Sequence, residues 1–370
     1  MAGIKVITSK EEMRAFTRAL KREGKTVGFV PTMVRERGSD RRQTTATNAD
    51  QRPPTPPPRH PKNQNSKQGY LHDGHLSLVA TAKRECGPNA AVVASVYVNP
   101  TQFAAHEDFD VYPRDTEGDR AKLERAGCVA VFEPASLYDY GSTNTTNNNT
   151  TNLDASTVVG RTPESEVSQD AHETYVTVER LQRPLCGGSR PHFFRGVATV
   201  VCKLFHVVEP DVAVFGRKDY QQWRVIMRMV RDLDMAVRVV GADISREEDG
   251  LAMSSRNARL SAESRAKAPA ICAALRWARD AARAGEVTDP KQLQEDVAKR
   301  VAEAGGAVDY AEVRDAESLG EVLAVGGGGG GAVVGKGAAR AAVLAVAANF
   351  GAKDGKGTVR LIDNIEIEAC

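Results

Sequence analysis

The stretch VATVVCKLFHVVEPDVAVFGRKDYQQWRVIMRMVRDLDMAVRVV, Val197–Val240, decides how the chain folds. Val197–Val208 is apolar around most of its circumference and predicts a buried helix. Val212–Phe215 is a short continuous apolar run and predicts a strand, Lys218–Leu233 predicts a second helix, and Val237–Val240 predicts another strand. Short Val-rich runs without polar alternation, separated by helices, are the pattern of a parallel sheet covered on both faces.

Working outward, the same alternation continues. Ser9 with Glu12 makes a capping box that opens a helix over Lys10–Glu23. Thr26–Pro31 and Ala90–Val98 read as buried strands, a helix starts at His72–His75, Thr116–Ala126 is helical, and Cys128–Phe132 is a strand. From Ser261 the text changes to an Ala/Arg-rich helix over Ser261–Gly285, a helix over Pro290–Ala304, and short strands around Val308–Val313 and Val359–Ile362. The expectation is an α/β chain with a parallel-sheet domain over residues 1–256 and a smaller α+β domain over 257–370. Three segments interrupt it: Val34–Gln68, Pro-rich with eight basic and three acidic residues; residues 141–170, which carry the Thr/Asn tract STNTTNNNTTN; and the glycine run 326–331. None can bury a core, and all read as insertions.

Among 370 residues, 50 Lys+Arg face 48 Asp+Glu, a net charge of +2 that marks neither a nucleic-acid binder nor an anionic-membrane binder. Hydrophobic residues at 41% and charged residues at 26% fit a soluble globular chain. No apolar run reaches the ~18–20 residues of a membrane span, and the N-terminus MAGIKVITSKEEMRAF has neither a signal core nor the acid-poor character of a transit peptide. Cys86, Cys128, Cys186, Cys202, Cys272 and Cys370 show no paired spacing, so no zinc or disulfide framework is expected, and reduced thiols in the cytoplasm are the plain reading.

Ligands of open parallel sheets bind beyond the carboxyl ends of the strands, so the residues after each strand are the candidates. These are Pro31-Thr32-Met33 with Gly69-Tyr70-Leu71-His72-Asp73-Gly74-His75; Asn99-Pro100-Thr101-Gln102; Gly216-Arg217-Lys218-Asp219 with Gln222; and Asp243–Ser245 with Met253-Ser254-Ser255-Arg256. His72 and His75, three apart at a helix start, share one face. Gly74 lets a ligand lie close, and the helix N-terminus supplies N–H donors for phosphate. Lys218, following a strand through Gly216, suits phosphate neutralisation, and Met253–Arg256 offers hydroxyls and a guanidinium for triphosphate oxygens. Gln102 and Gln222 are neutral donor–acceptors suited to a hydroxy acid. Each group alone also fits an ordinary polar surface; their placement together is the signal.

Taken jointly, the strings VGFVPTM, GYLHDGHLSLV, VYVNPTQF, EDFDVYPRD, FGRKDYQQ, REEDGLAMSSRN and RLIDNIE resemble the pantothenate synthetase (pantoate–β-alanine ligase) family, of the HxGH nucleotidyltransferase superfamily. The resemblance runs from about Ile4 to Ile367. It implies a Rossmann-like first domain and a second domain acting as a lid. It also implies ATP-dependent ligation of pantoate and β-alanine through a pantoyl adenylate, with release of pyrophosphate and then AMP. Carried onto this sequence, the family pattern gives Met33, Gly69, Tyr70, Leu71, His72, Gly74, His75, Gly216, Arg217, Lys218, Asp219, Ser245, Met253, Ser254, Ser255 and Arg256 as ATP-binding. His75 takes the family's proton-donor position, His72 and Lys218 contact phosphate, and Arg256 closes over it. Gln102, Gln222 and Asn99 bind pantoate and β-alanine. Mg²⁺ is expected on ATP oxygens and water, with no protein metal site, and a cytoplasmic homodimer is the family's usual form.

Two departures stand out. Val34–Gln68 separates Met33 from Gly69, which the family joins directly, and Phe193 in Arg190-Pro191-His192-Phe193-Phe194-Arg195 occupies the family's histidine position. The insert either loops into solvent, impairs or regulates the site, or is a retained intron or gene-model error. A non-catalytic paralogue using the basic Pro-rich segment as a binding arm, and a different adenylyl- or cytidylyltransferase, are the alternative functions. His72, His75, Lys218 and Arg256 argue against the first, and neutral Gln102 and Gln222 against a phosphate acceptor.

Overall fold

Parallel strands cannot be joined by tight turns, so each neighbour pair in such a sheet calls for a covering crossover. The computed structural model describes residues 3–32, 71–97, 99, 116–138, 172–325, 341–355 and 357–367. In it β1 (Lys5–Ile7), β2 (Thr26–Thr32), β3 (Ala90–Val96), β4 (Cys128–Phe132), β5 (Val212–Gly216) and β6 (Arg238–Ala242) form one six-stranded sheet, ordered β1-β4-β3-β2-β5-β6. Every pairing in it is parallel.

Helices α1 (Lys10–Arg22), α5 (Phe193–Val208) and α6 (Tyr220–Asp232) cover one face; α2 (Asp73–Cys86) and α3 (Thr116–Ala126) cover the other. Strand residues alternate between two cores. Val27, Phe29, Val93, Ala213 and Phe215 pack with Met13, Val197 and Ile226, whereas Val30, Val92, Ala94, Val212 and Val214 pack with Leu78, Val79 and Leu123. Both faces are dry, which is why the strands read as continuous apolar runs. Ser9 accepts from the Glu12 N–H at 3.0 Å and starts α1 as the capping pattern requires.

A second sheet, β7 (Ala307–Asp315), β8 (Ala342–Gly351) and β9 (Thr358–Ile367), is antiparallel in that order. Helices α7 (Ala262–Lys267), α8 (Ala270–Arg283) and α9 (Pro290–Glu303) accompany it. The central strand β8 was not anticipated from its Ala/Val run. Leu344, Val346 and Ala348 pack on α8 and α9, while Val343 and Ala345 join the first sheet's core, so β8 is buried on both sides. The Ser261–Gly285 helix is in fact two, α7 and α8, broken at Pro269, which has no N–H to continue the ladder. The helix expected from Lys218 begins as a single tight turn, Arg217–Asp219, with α6 proper from Tyr220. A four-residue helix, α4 (Cys186–Ser189), was not anticipated. The three insertions lie outside the described residues.

One side chain fixes the start of the sheet's centre. Asp211 Oδ2 accepts the Val27 N–H at 2.7 Å and Oδ1 accepts from Lys21 at 2.8 Å. Its own N–H donates to Val27 O, and its carbonyl accepts from Arg238 N. Three neighbouring strands are thereby set in register. Asp211→Ala leaves the Val27 N–H without its acceptor and is expected to lower unfolding free energy by about 1–3 kcal/mol, read as an earlier midpoint in urea denaturation.

Candidate active site

The sheet grows outward in both directions from the β2–β5 pair, so at that pair the crossovers diverge and leave a crevice beyond the carboxyl ends. A cleft of about 520 Å³ lies there. Its floor is the ends of β2 and β5, at Pro31, Thr32, Phe215 and Gly216; the second sheet closes the opposite wall with Tyr310, Ala345, Arg360, Ile362, Asp363 and Asn364.

The cleft brings together His72, Gly74, His75, Gly216, Lys218, Asp219, Gln222, Ser245, Met253, Ser254, Ser255 and Arg256, twelve of the residues expected from sequence. Leu71, Arg217 and Asn99 do not line it. Leu71 is a core residue at 1% exposure under α2, its N–H held by Asp119 and its carbonyl by Lys122. Arg217 turns away to stack on Trp223 and pair with Glu366 and Asp243. Asn99 is fully buried and bonds Gly196 O and the Tyr138 hydroxyl. Met33, Gly69, Tyr70 and Gln102 lie outside the described residues.

His72 caps α2 with extended backbone, and the first turn places the His75 ring 4.0 Å from its own. The His72 N–H donates to His75 Nδ1 at 3.4 Å, which assigns the remaining proton of a neutral His75 to Nε2. Gly74 has a more local reason than ligand approach: a Cβ there would lie 2.9 Å from the His72 ring. Burial first, and the Lys218 charge second, push His72 down to about 4. Burial, then His72, then Lys218 and Lys122, push His75 down to about 3. Both imidazoles are therefore neutral at pH 7, and His72 Nδ1 is buried without a partner.

Ser77, absent from the sequence expectation, ties α2 to the segment after β6 through a 3.1 Å contact with Ser245. Opposite the histidines, Ser254 caps the turn bearing Arg256 by accepting its N–H at 3.2 Å. The far end is lined by Leu185, Cys186, Arg190, Phe193, Tyr310 and Arg360. Leu185 has φ of 54°, a left-handed backbone rarely adopted by a branched residue, held because Gln221 Nε2 clamps Leu181 O and Pro184 O at 2.9 and 2.6 Å. Two residues on, a Cβ on Gly187 would collide with the Gln182 carbonyl oxygen. Phe193 lies under the Arg190 guanidinium at 3.9 Å, and His192 is exposed, so the displaced histidine does not serve the cleft. Sequence could have pointed to Arg360, Asp363 and Asn364, which sit in the quoted string RLIDNIE.

The depressed imidazoles set a stability window. Between about pH 6.5 and 4 the unfolded chain binds protons that folded His72 and His75 refuse, so stability is complete above 6.5 and falls as pH drops. The slope contributed is up to ~1.4 kcal/mol per pH unit for each histidine. Urea denaturation of His75→Gln at pH 5 and 7 should show a smaller difference than the wild-type chain; an equal difference would contradict the assignment.

Comparison with known proteins fits this geometry. The chain matches the family described as pantoate-beta-alanine ligase over residues 66–366, beginning at the end of the Pro-rich segment. It is 44% identical to a pantoate–beta-alanine ligase of Oryza sativa subsp. japonica over 98% of this chain and 96% of that one. The solved pantothenate synthetase of Thermus thermophilus is 34% identical, with a TM-score of 0.67 over 99% of this chain and 100% of that one. The pantoate-beta-alanine ligase of Francisella tularensis, solved complexed with beta-gamma ATP and beta-alanine, shares the fold at 21% identity and a TM-score of 0.59, covering 98% of this chain and 97% of that one. With a family match over most of its length and full-length relatives of this identity, the chain belongs to the pantoate-beta-alanine ligase family, enzymes that join pantoate to β-alanine to give pantothenate.

Proposed function

We propose that this cleft binds ATP with its triphosphate between the His72–His75 turn, Lys218 and the Met253–Arg256 loop, and that pantoate is adenylated there. The observation that carries the reading is the convergence of two neutral imidazoles, Lys218 and Arg256 on one cleft at the switch point. A carboxylate is a poor electrophile at neutral pH. One pantoate carboxylate oxygen attacks the α-phosphorus, the bond to the bridging oxygen breaks, and pyrophosphate leaves. The β-alanine amine then attacks the acyl carbon, loses a proton and expels AMP.

No side chain forms a covalent bond in this sequence, so catalysis rests on placement and charge. Lys218 and Arg256 oppose the negative charge that grows on the departing phosphates. His75, neutral in the free protein, serves as a hydrogen-bond donor through Nε2; it becomes an acid only where bound phosphate raises its proton affinity. Gln222 holds the hydroxy acid, and Gln102 is assigned the same task from the family pattern. The resemblance likewise supports Mg²⁺, a homodimer and the cytoplasm. The cleft carboxylates Asp219 and Asp243 are exposed, the latter beside Arg217, and among the described residues no group of three His, Cys, Asp or Glu forms a cage. Such a donor set fits an ion that arrives on nucleotide oxygens, whose charge it partly neutralises. The second sheet roofs the cleft and keeps water from the adenylate.

The test is purified protein with ATP, pantoate and β-alanine. Pyrophosphate should appear with pantoate alone, and AMP only once β-alanine is added; no pantoate-dependent pyrophosphate would refute the reading and favour a non-catalytic paralogue. Lys218→Ala and His75→Ala should each slow the first half-reaction by a barrier increase of about 2.7–4 kcal/mol, the scale of a lost oxyanion donor, with a native circular dichroism spectrum. Gly74→Ala should slow the same step without altering either charge, because the added methyl displaces the His72 ring; an unchanged rate would remove His72 from the site.

A further inference from the structure

We propose that Asn364, on the outer strand of the second sheet, is a positioning residue for Lys218, holding the turn that aims the lysine into the cleft. The inference rests on the reading of Lys218 as a phosphate contact. The turn Arg217–Asp219 is three residues long, and Asp219, which caps α6, makes no side-chain capping bond. Its two leading carbonyls are instead bound from outside. Asn364 Nδ2 donates to Arg217 O and to Lys218 O, each at 3.0 Å, so both amide hydrogens of one nitrogen meet successive carbonyls of the turn.

The amide is well fixed. Asn364 is 4% exposed, lies opposite Ala345 in the β8–β9 register, and donates its backbone N–H to Asp363 Oδ1 at 2.8 Å. Asp363 in turn grips Arg246 by two bonds, 2.6 and 3.0 Å, and Arg246 Nη1 reaches Gly250 O. That pair braces the loop closed by Met253 N–H on Ser245 O, from which Met253–Arg256 departs. Adjacent residues of β9 therefore hold the two phosphate-facing segments, one through an amide and the other through a buried ion pair. Asn364 also lines the cleft wall, and in this role it acts through the backbone of Lys218.

A shift of ~1 Å in a charge-stabilising group lowers rate by up to about 100-fold. In the full chain, Asn364→Ala should lower kcat for pantoate-dependent pyrophosphate release by about 10- to 100-fold, with KM for β-alanine in the second half-reaction unchanged. Asn364→Asp, which keeps the volume and sets an acceptor against both carbonyls, should do the same and serves if the alanine variant does not fold. The deciding arm is the cycle with Lys218→Ala. If Asn364 works through the lysine, adding Asn364→Ala to Lys218→Ala should change the rate by less than about 3-fold. An undiminished further loss in that background, or a wild-type rate in both single variants, would overturn the inference while leaving the assignment of Lys218 intact. A wild-type rate for Lys218→Ala alone would overturn both.

Discussion

The divergence of the sheet at β2 and β5 is the constraint on which the rest depends. From this pair the chain runs through α2 to β3 on one side and through α6 to β6 on the other, so the two crossovers part at the pair and leave a gap between them. The residues following β2 and β5 must face each other across that gap, and they are the histidine turn and the lysine turn. Asp211 holds the other end of the same strands in register. The crevice is then roofed by strands of the second sheet, whose β8 belongs to both hydrophobic cores.

Within this frame the electrostatics have one direction. Four groups that could all carry positive charge are drawn together, but burial and the lysine keep the imidazoles uncharged. The cleft is attractive to phosphate without the mutual repulsion of four cations. A ligand bearing several negative charges relieves the burden on the histidines, so proton uptake and nucleotide binding are linked in sign. The far end is different in kind: Arg360 is engaged by Asp309, and Arg190 lies over the Phe193 ring.

Much of the first sheet was legible because its signals are local. Thr116–Ala126 and Cys128–Phe132 occur with the bounds read from sequence, since a helix of good formers meets a Val/Phe run at Gly127. The cleft residues after β2 and β5 were legible because strand ends dictate where ligands bind. What failed is what depends on distant chain. Leu71, beside the histidines in sequence, faces the core because α3 packs there. Arg217, next to Lys218, is claimed by Glu366, 149 residues away. Asn99 is spent on Gly196 and Tyr138. β8 was missed because an Ala-rich run buried on both faces lacks the alternation that marks an antiparallel strand. The split at Pro269 was visible in the letters and was overridden by the helical composition on either side.

The bond from Asn364 to the lysine turn spans 146 residues. During translation, at roughly 5–20 residues per second, the lysine turn leaves the ribosome well before the amide that bonds its two carbonyls. Until then the chain lacks both the strands that roof the crevice and the donor for the Arg217 and Lys218 carbonyls. Under the role proposed for Asn364, the lysine turn is thus completed only after β9 has paired with β8, among the last contacts the growing chain can make.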